Sequence, residues 1–176
     1  PNPADIEKAE LGWAHWEVAL SNLSEKNSKL IHKNIVKKRV CKGLLNSIFG
    51  NSPYLSHSIN SDPMFVYKLL MVGPNKAFRW SLIELQKKTK TATTTELLNI
   101  VRIAKRQISL AVAIADIVNI WSLNKVMEKL SAFAETAVSI TAQHALSEIA
   151  RNGAFHLEHT ENPEQNSGLI ILGIGK

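Results

Sequence analysis

Between Asn75 and Asn152 the sequence holds neither glycine nor proline. Those are the residues that end helices and make tight turns, so this stretch is built to be helical over most of its length. Phe78, Leu82 and Leu85 recur at helical spacing and predict one helix. Lys87 to Thr95 is basic and β-branched and reads as a loop. Thr93 with Glu96 three residues later is a capping-box pattern, so a long helix is expected to follow. Leu97, Val101, Ala104, Ile108, Ala111 and Ala115 form its apolar stripe, and Arg102, Arg106, Ser109, Ala113 and Asp116 lie on a second face. Asn119 to Ser122 predicts a corner. Val126, Leu130, Phe133, Ala134, Ala137, Ile140, Thr141 and Ala145 then predict a further long amphipathic helix, ended by Asn152-Gly153.

The first half of the chain is more punctuated. Asn2-Pro3 before Asp5 signals a helix start. Ile6, Ala9, Trp13, Trp16, Leu20 and Leu23 put two tryptophans on one buried face. Ser24 to Lys29 is a polar break. Leu30, Ile31, Ile35, Val36, Val40, Leu44, Leu45 and Ile48 predict a second helix, ending at Gly50-Asn51. Ser52-Pro53 and Asp62-Pro63 each open a short helix, and Gly73-Pro74 closes the second.

A chain of 176 residues makes one domain, or one domain and the start of another. With 45% hydrophobic and 20% charged residues it is neither wholly disordered nor membrane-spanning, since no apolar run reaches the roughly 20 residues a bilayer needs. The net charge of +6 is compatible with a nucleotide, nucleic acid or acidic protein, and selects none of them. Cys41 is the only cysteine, so no internal disulfide forms and a cytoplasmic location is expected. The chain lacks an initial Met and stops in an apolar run, so both ends read as cut.

Past Gly153 the character changes to a polar stretch with Pro163. It ends in Gly168 to Lys176, a β-branched run closed by glycines, which reads as a buried strand entering a tight turn. The expected fold class is mainly α: an antiparallel helical array leading into the first strand of something else.

Taken alone, few constellations carry chemistry. The terminal Gly173, Gly175 and Lys176 could approach a phosphate, but the spacing is not that of a Walker loop. Arg102, Lys105 and Arg106 read locally as a solvated helix face. His144, Glu148, His156, Glu158 and His159 lack a metal-site spacing. Ser122 with Lys125 three residues on reads as a helix cap, and Cys41, between Arg39 and Lys42, as a bland thiol.

In combination the motifs are more specific. Phe49 to Ser56 followed by Asp62-Pro63 resembles a stretch near the start of the glutamine synthetase adenylyltransferases. Leu98 to Asp116, Val126 to Ala134 and Gly168 to Lys176 are similar to later segments of that family, in the same order. The resemblance implies two nucleotidyltransferase units in the intact protein. One removes AMP from a tyrosine of glutamine synthetase by phosphorolysis, and the other attaches AMP from ATP. It implies residues 1–152 as a helical region, and 153–176 as a linker and the first strand and turn of an incomplete nucleotidyltransferase core. Gly173, Gly175 and Lys176 then match the start of the family's nucleotide-binding turn, and Arg102 and Arg106 become cleft-wall residues. Mg²⁺ and ATP or ADP are the expected cofactors of the intact enzyme.

The family's Ser-Ser-Asp-Ile-Asp-Leu metal-binding motif does not occur in this sequence, so the chain by itself is expected to be inactive. Glutamine synthetase and a PII-type nitrogen signalling protein are the expected partners, with no nucleic acid and no membrane. The rival reading is a non-catalytic helical interaction module in nitrogen regulation. A nucleic-acid binder is disfavoured because the basic residues look scattered among acids and no helix-turn-helix signature stands out.

Overall fold

The computed structural model describes residues 2–153 and 156–173. Among these, eight α-helices follow one another: α1 (Ile6–Ser21), α2 (Glu25–Ile31), α3 (Arg39–Asn51), α4 (Pro53–Ser61), α5 (Pro63–Val72), α6 (Pro74–Thr89), α7 (Thr94–Ile117) and α8 (Leu123–Arg151). A π-helical turn, His32–Val36, continues α2.

Most helix starts are where local chemistry puts them. Asp5, Ser24, Ser52, Asp62, Thr93 and Ser122 each accept a hydrogen bond from the backbone N–H three residues on. Pro53, Pro63 and Pro74 occupy first helical turns, where no N–H partner is lost. Gly73, at φ 82°, turns the chain from α5 into α6 in a conformation that side chains avoid.

Three expectations are corrected. The pattern from Leu30 to Ile48 is not one helix: it starts inside the expected polar break, since Glu25–Ile31 is α2 capped by Ser24, and the chain then breaks at Lys37-Lys38 and restarts as α3. Ile31 and Ile35 stay in the core, but Val40 turns out to solvent at 85% exposure. The segment from Lys87 is helical as far as Thr89, because α6 continues to pack along α7. The run Gly168 to Gly173 is not a strand, and no strand occurs among the described residues. A strand needs a neighbour to take its backbone hydrogen bonds. Here Leu169 N–H bonds only Ser167 Oγ, at 3.2 Å, and Ile170 and Leu172 are exposed.

Two buried clusters hold the array together. The larger joins Trp16, Leu20, Ile31, Ile35, Leu45, Phe49, Ile59, Phe65 and Leu69 from the first five helices to Leu110, Ala111 and Ile114 of α7. The smaller joins Phe78 of α6, Ile108, Val112 and Ala115 of α7, and Trp121 at the α7–α8 corner. Burying a large apolar side chain contributes about 1.5–3 kcal/mol, so α7, which serves both clusters, is the central element. Trp121 Nε1 donates to Asn75 Oδ1 at 3.0 Å, and its ring meets Phe78 edge-on at 6.1 Å. That pair fixes the corner against the start of α6. In contrast, α8 buries none of its residues, and Leu123, Met127, Leu130, Val138 and Ile149 are exposed.

Candidate functional site

The N-terminus of α7 is closed by a capping box. Thr93 Oγ1 accepts from Glu96 N–H, while Glu96 Oε2 accepts from Thr93 N–H at 2.8 Å. These bonds from Thr93 hold the Glu96 carboxyl below the usual carboxylate range. Next to it, Thr94 Oγ1 lies 3.0 Å from His144 Nε2, which ties the start of α7 to the middle of α8. A groove of about 1390 Å³ opens beside this tie, lined by Lys90, Thr93, Glu135, Gln143, His144 and Arg151. Thr160, Glu161 and Pro163 also line it, and the neighbouring Glu164 accepts hydrogen bonds from Ser139 and Gln143 of α8.

The residues expected to meet phosphate are not gathered in that groove. Arg102 is exposed and donates to Asn99 Oδ1 at 3.0 Å. Arg106, one turn on, is half-buried, and its Nε is a buried donor without a partner among the described residues. Gly173 lies at the end of the described chain, whereas Gly175 and Lys176 fall outside the described residues. Among the described residues no hydrogen bond or ion pair joins Arg102 or Arg106 to 156–173. Nor do three or more His, Cys, Asp or Glu side chains converge on a possible metal position. Ser122 is the cap of α8, as its spacing suggested. Ser61 Oγ sits 3.4 Å from His57 Nε2, but its hydroxyl donates to His57 O at 2.7 Å, an ordinary helix back-bond.

The segment Phe49 to Pro63 has a structural job. Phe49 is buried on Gly12 of α1, and Asn51 bridges the N-terminal segment by accepting from Ala4 N–H and donating to Asn2 O. Ser52-Pro53 and Asp62-Pro63 start α4 and α5.

Two features escaped the sequence reading. Asp62 uses one carboxylate oxygen to cap α5 and the other to accept from Gln107 Nε2 of α7, at 2.9 Å. Gln107 Oε1 in turn accepts from the buried Ser81 Oγ of α6, so three helices meet at one polar node. Nothing in the local pattern marks Gln107 as its partner. The second feature was visible: the basic residues are not evenly scattered, because no Asp or Glu occurs between Glu25 and Asp62.

The fold and the site define a helical scaffold unit that presents cations and a polar groove, with no reactive centre assembled among its described residues. The chain belongs to the glutamate–ammonia ligase adenylyltransferase family, whose model matches residues 43–176. It is similar to the bifunctional glutamine synthetase adenylyltransferase/adenylyl-removing enzyme of Rhodopseudomonas palustris (strain HaA2), at 33% identity over 75% of this chain and 14% of the relative. The enzyme of that name from Rhizobium meliloti (strain 1021) is 31% identical over 91% of this chain and 17% of its own length. In Bartonella quintana (strain Toulouse) the corresponding values are 26%, 89% and 17%. The chain thus spans only about one-sixth of these relatives. No solved structure matches it. No helix among the described residues is long and apolar enough to cross a membrane.

Proposed function

We propose that this chain is the leading part of the adenylyl-removing unit of a bifunctional enzyme that controls glutamine synthetase. The observation that carries the reading is the ordered run of motifs from Phe49 to Lys176 within the matched span 43–176. In the intact enzyme a phosphate oxygen would bond to the adenylyl phosphorus as the tyrosyl oxygen–phosphorus bond breaks. The products are ADP and the unmodified tyrosine side chain of glutamine synthetase, whose oxygen takes up a proton. The other unit would attach AMP from ATP, and a PII-type signalling protein would be a further partner.

In this reading residues 1–152 form a helical support, and 153–176 lead into the nucleotidyltransferase core. Gly168 to Gly173 becomes a strand once a neighbouring strand takes its backbone groups. Gly173, Gly175 and Lys176 begin the phosphate-binding turn. Arg102 and Arg106 stand on the cleft wall, and the partnerless Nε of Arg106 supports its part there. Among the described residues no group of three or more His, Cys, Asp or Glu fits a Mg²⁺ centre, so this reading assigns the metal to the family's Asp-x-Asp motif and expects the chain alone to be inactive.

The test is phosphate-dependent ADP release from adenylylated glutamine synthetase, measured on a protein that carries this chain followed by an Asp-x-Asp core. Arg106→Met in that protein should lower kcat/KM by about tenfold to a hundredfold, the loss expected when one charge-stabilising group is removed. No phosphorolysis in the parent protein would sink the enzymatic reading. The rival, a helical interaction module without chemistry, would then gain from the exposed apolar residues of α8.

A further inference from the structure

The corner formed by α2, the π-helical turn and the start of α3 carries Lys26, Lys29, Lys33, Lys37, Lys38, Arg39 and Lys42, and all seven are exposed. No acid falls among them in sequence, and among the described residues the only ion pair they make is Lys29 with Glu25 of the same helix. Lys42 lies over the Trp13 ring at 5.9 Å, a contact that leaves its charge unneutralised.

The fold does nothing to relieve this concentration of charge. Lys38 is the N-cap residue of α3 and makes no side-chain cap bond, and the first turn of α3 has no acid. Cations at the positive end of a helix are unfavourable for folding. The break at Lys37-Lys38 adds to the corner by presenting Val40 at 85% exposure among the charges, with Leu30 at 38%. The corner precedes residues 43–176, the span matched by the family model.

We propose that this corner is a docking surface for an acidic face of the protein substrate, glutamine synthetase; this rests on the function proposed above. The charges steer and hold carboxylates. Val40 and Leu30 supply apolar contact that a protein face covers and a phosphate backbone does not. Six of the seven cations are lysines, which lack the planar fork that reads paired acceptors on bases. No exposed Trp, Tyr or Phe stands on the corner to stack a base or enter a bilayer.

The experiment measures binding of the full chain to purified Rhizobium meliloti glutamine synthetase by biolayer interferometry, at low and at physiological salt. The parent chain should bind, and more weakly as salt rises. Lys37→Glu/Lys38→Glu/Arg39→Glu should weaken binding at least about tenfold, because three attractive charges become repulsive. Lys76→Glu/Arg79→Glu/Lys87→Glu changes net charge equally on exposed positions elsewhere and should cost less than about threefold. Circular dichroism confirms that both variants keep the parent helicity. Equal losses in the two variants, or no binding by the parent, overturn the proposal. A 20-base-pair DNA duplex that binds more tightly than glutamine synthetase overturns it in favour of a nucleic-acid surface. The readout is binding and not ADP release, so an enzyme that releases ADP while the corner variant binds normally refutes the docking surface alone.

Discussion

Gly12 of α1 lies directly against the ring of Phe49 of α3, so closely that a Cβ at position 12 would stand 2.5 Å from Phe49 Cγ and 2.6 Å from its Cβ. Phe49 is 1% exposed and meets Trp13 edge-on at 5.2 Å, so the ring has little room to retreat. Gly12→Ala should gain about 1 kcal/mol of helix propensity and lose about 1–3 kcal/mol to overpacking. The expected result is net destabilisation, read as a lower urea midpoint. Phe49→Leu should cost less in the Gly12→Ala background than in the parent. Additive effects would show that the two positions do not press on one another.

Gly50, the next residue, faces the N-terminal segment. A Cβ there would meet the Pro3 side chain and come within 2.7 Å of Asp5 O, while Asp5 N–H bonds Gly50 O at 3.2 Å. Gly50→Ala should release residues 2–5 from α3 and speed their cleavage by a non-specific protease. Helices α4 to α8 should stay protected. Unchanged N-terminal protection would mean that the segment is held by other contacts.

The node at Asp62 predicts a coupling. Asp62→Ala removes an N-cap, a loss of about 1 kcal/mol, and also strands the Gln107 amide. Gln107→Leu removes the same link from the other side. A double-mutant cycle on thermal unfolding should give a coupling of about 0.5–3 kcal/mol, the range for residues within one hydrogen-bonded network. A coupling near zero would mean that the node does not tie α5 to α7.

The capping box gives a pH dependence. The carboxyl of Glu96 is lowered in the folded state by its bonds from Thr93. Its contribution is therefore fully present above the ordinary carboxylate range, and it is lost as pH falls through the lowered folded value. The Tm gap between the parent and Glu96→Gln should be widest near neutral pH and should narrow on acidification. Using the gap removes the parallel loss from Asp5, which its bonds to Lys8 lower in the same way. A gap that stays constant from pH 7 to pH 3 would exclude the carboxylate charge as its source.

Helix starts were legible because they depend on three or four neighbouring residues. Ser52-Pro53, Asp62-Pro63, Thr93 with Glu96, and Ser122 all act as the sequence indicates. The apolar stripe of α7 was legible too, since Leu97, Ala104, Ile108, Ala111 and Ala115 are all buried. The candidate phosphate residues were legible only through a family resemblance. Among the described residues, no hydrogen bond or ion pair links Arg102 or Arg106 to 156–173.

By itself, then, the sequence determined that the chain is helical, where most helices begin, and which family it belongs to. Caps, prolines and 3.6-residue periodicity are local, and motif order is carried by the string of residues. Tertiary structure alone decided that Val40 faces water, that Gly12 and Gly50 must lack a side chain, and that Asp62 finds Gln107 across 45 positions. It also decided that Gly168 to Gly173 stays unpaired among the described residues. Each of these depends on what a distant segment places alongside, and no local pattern records that.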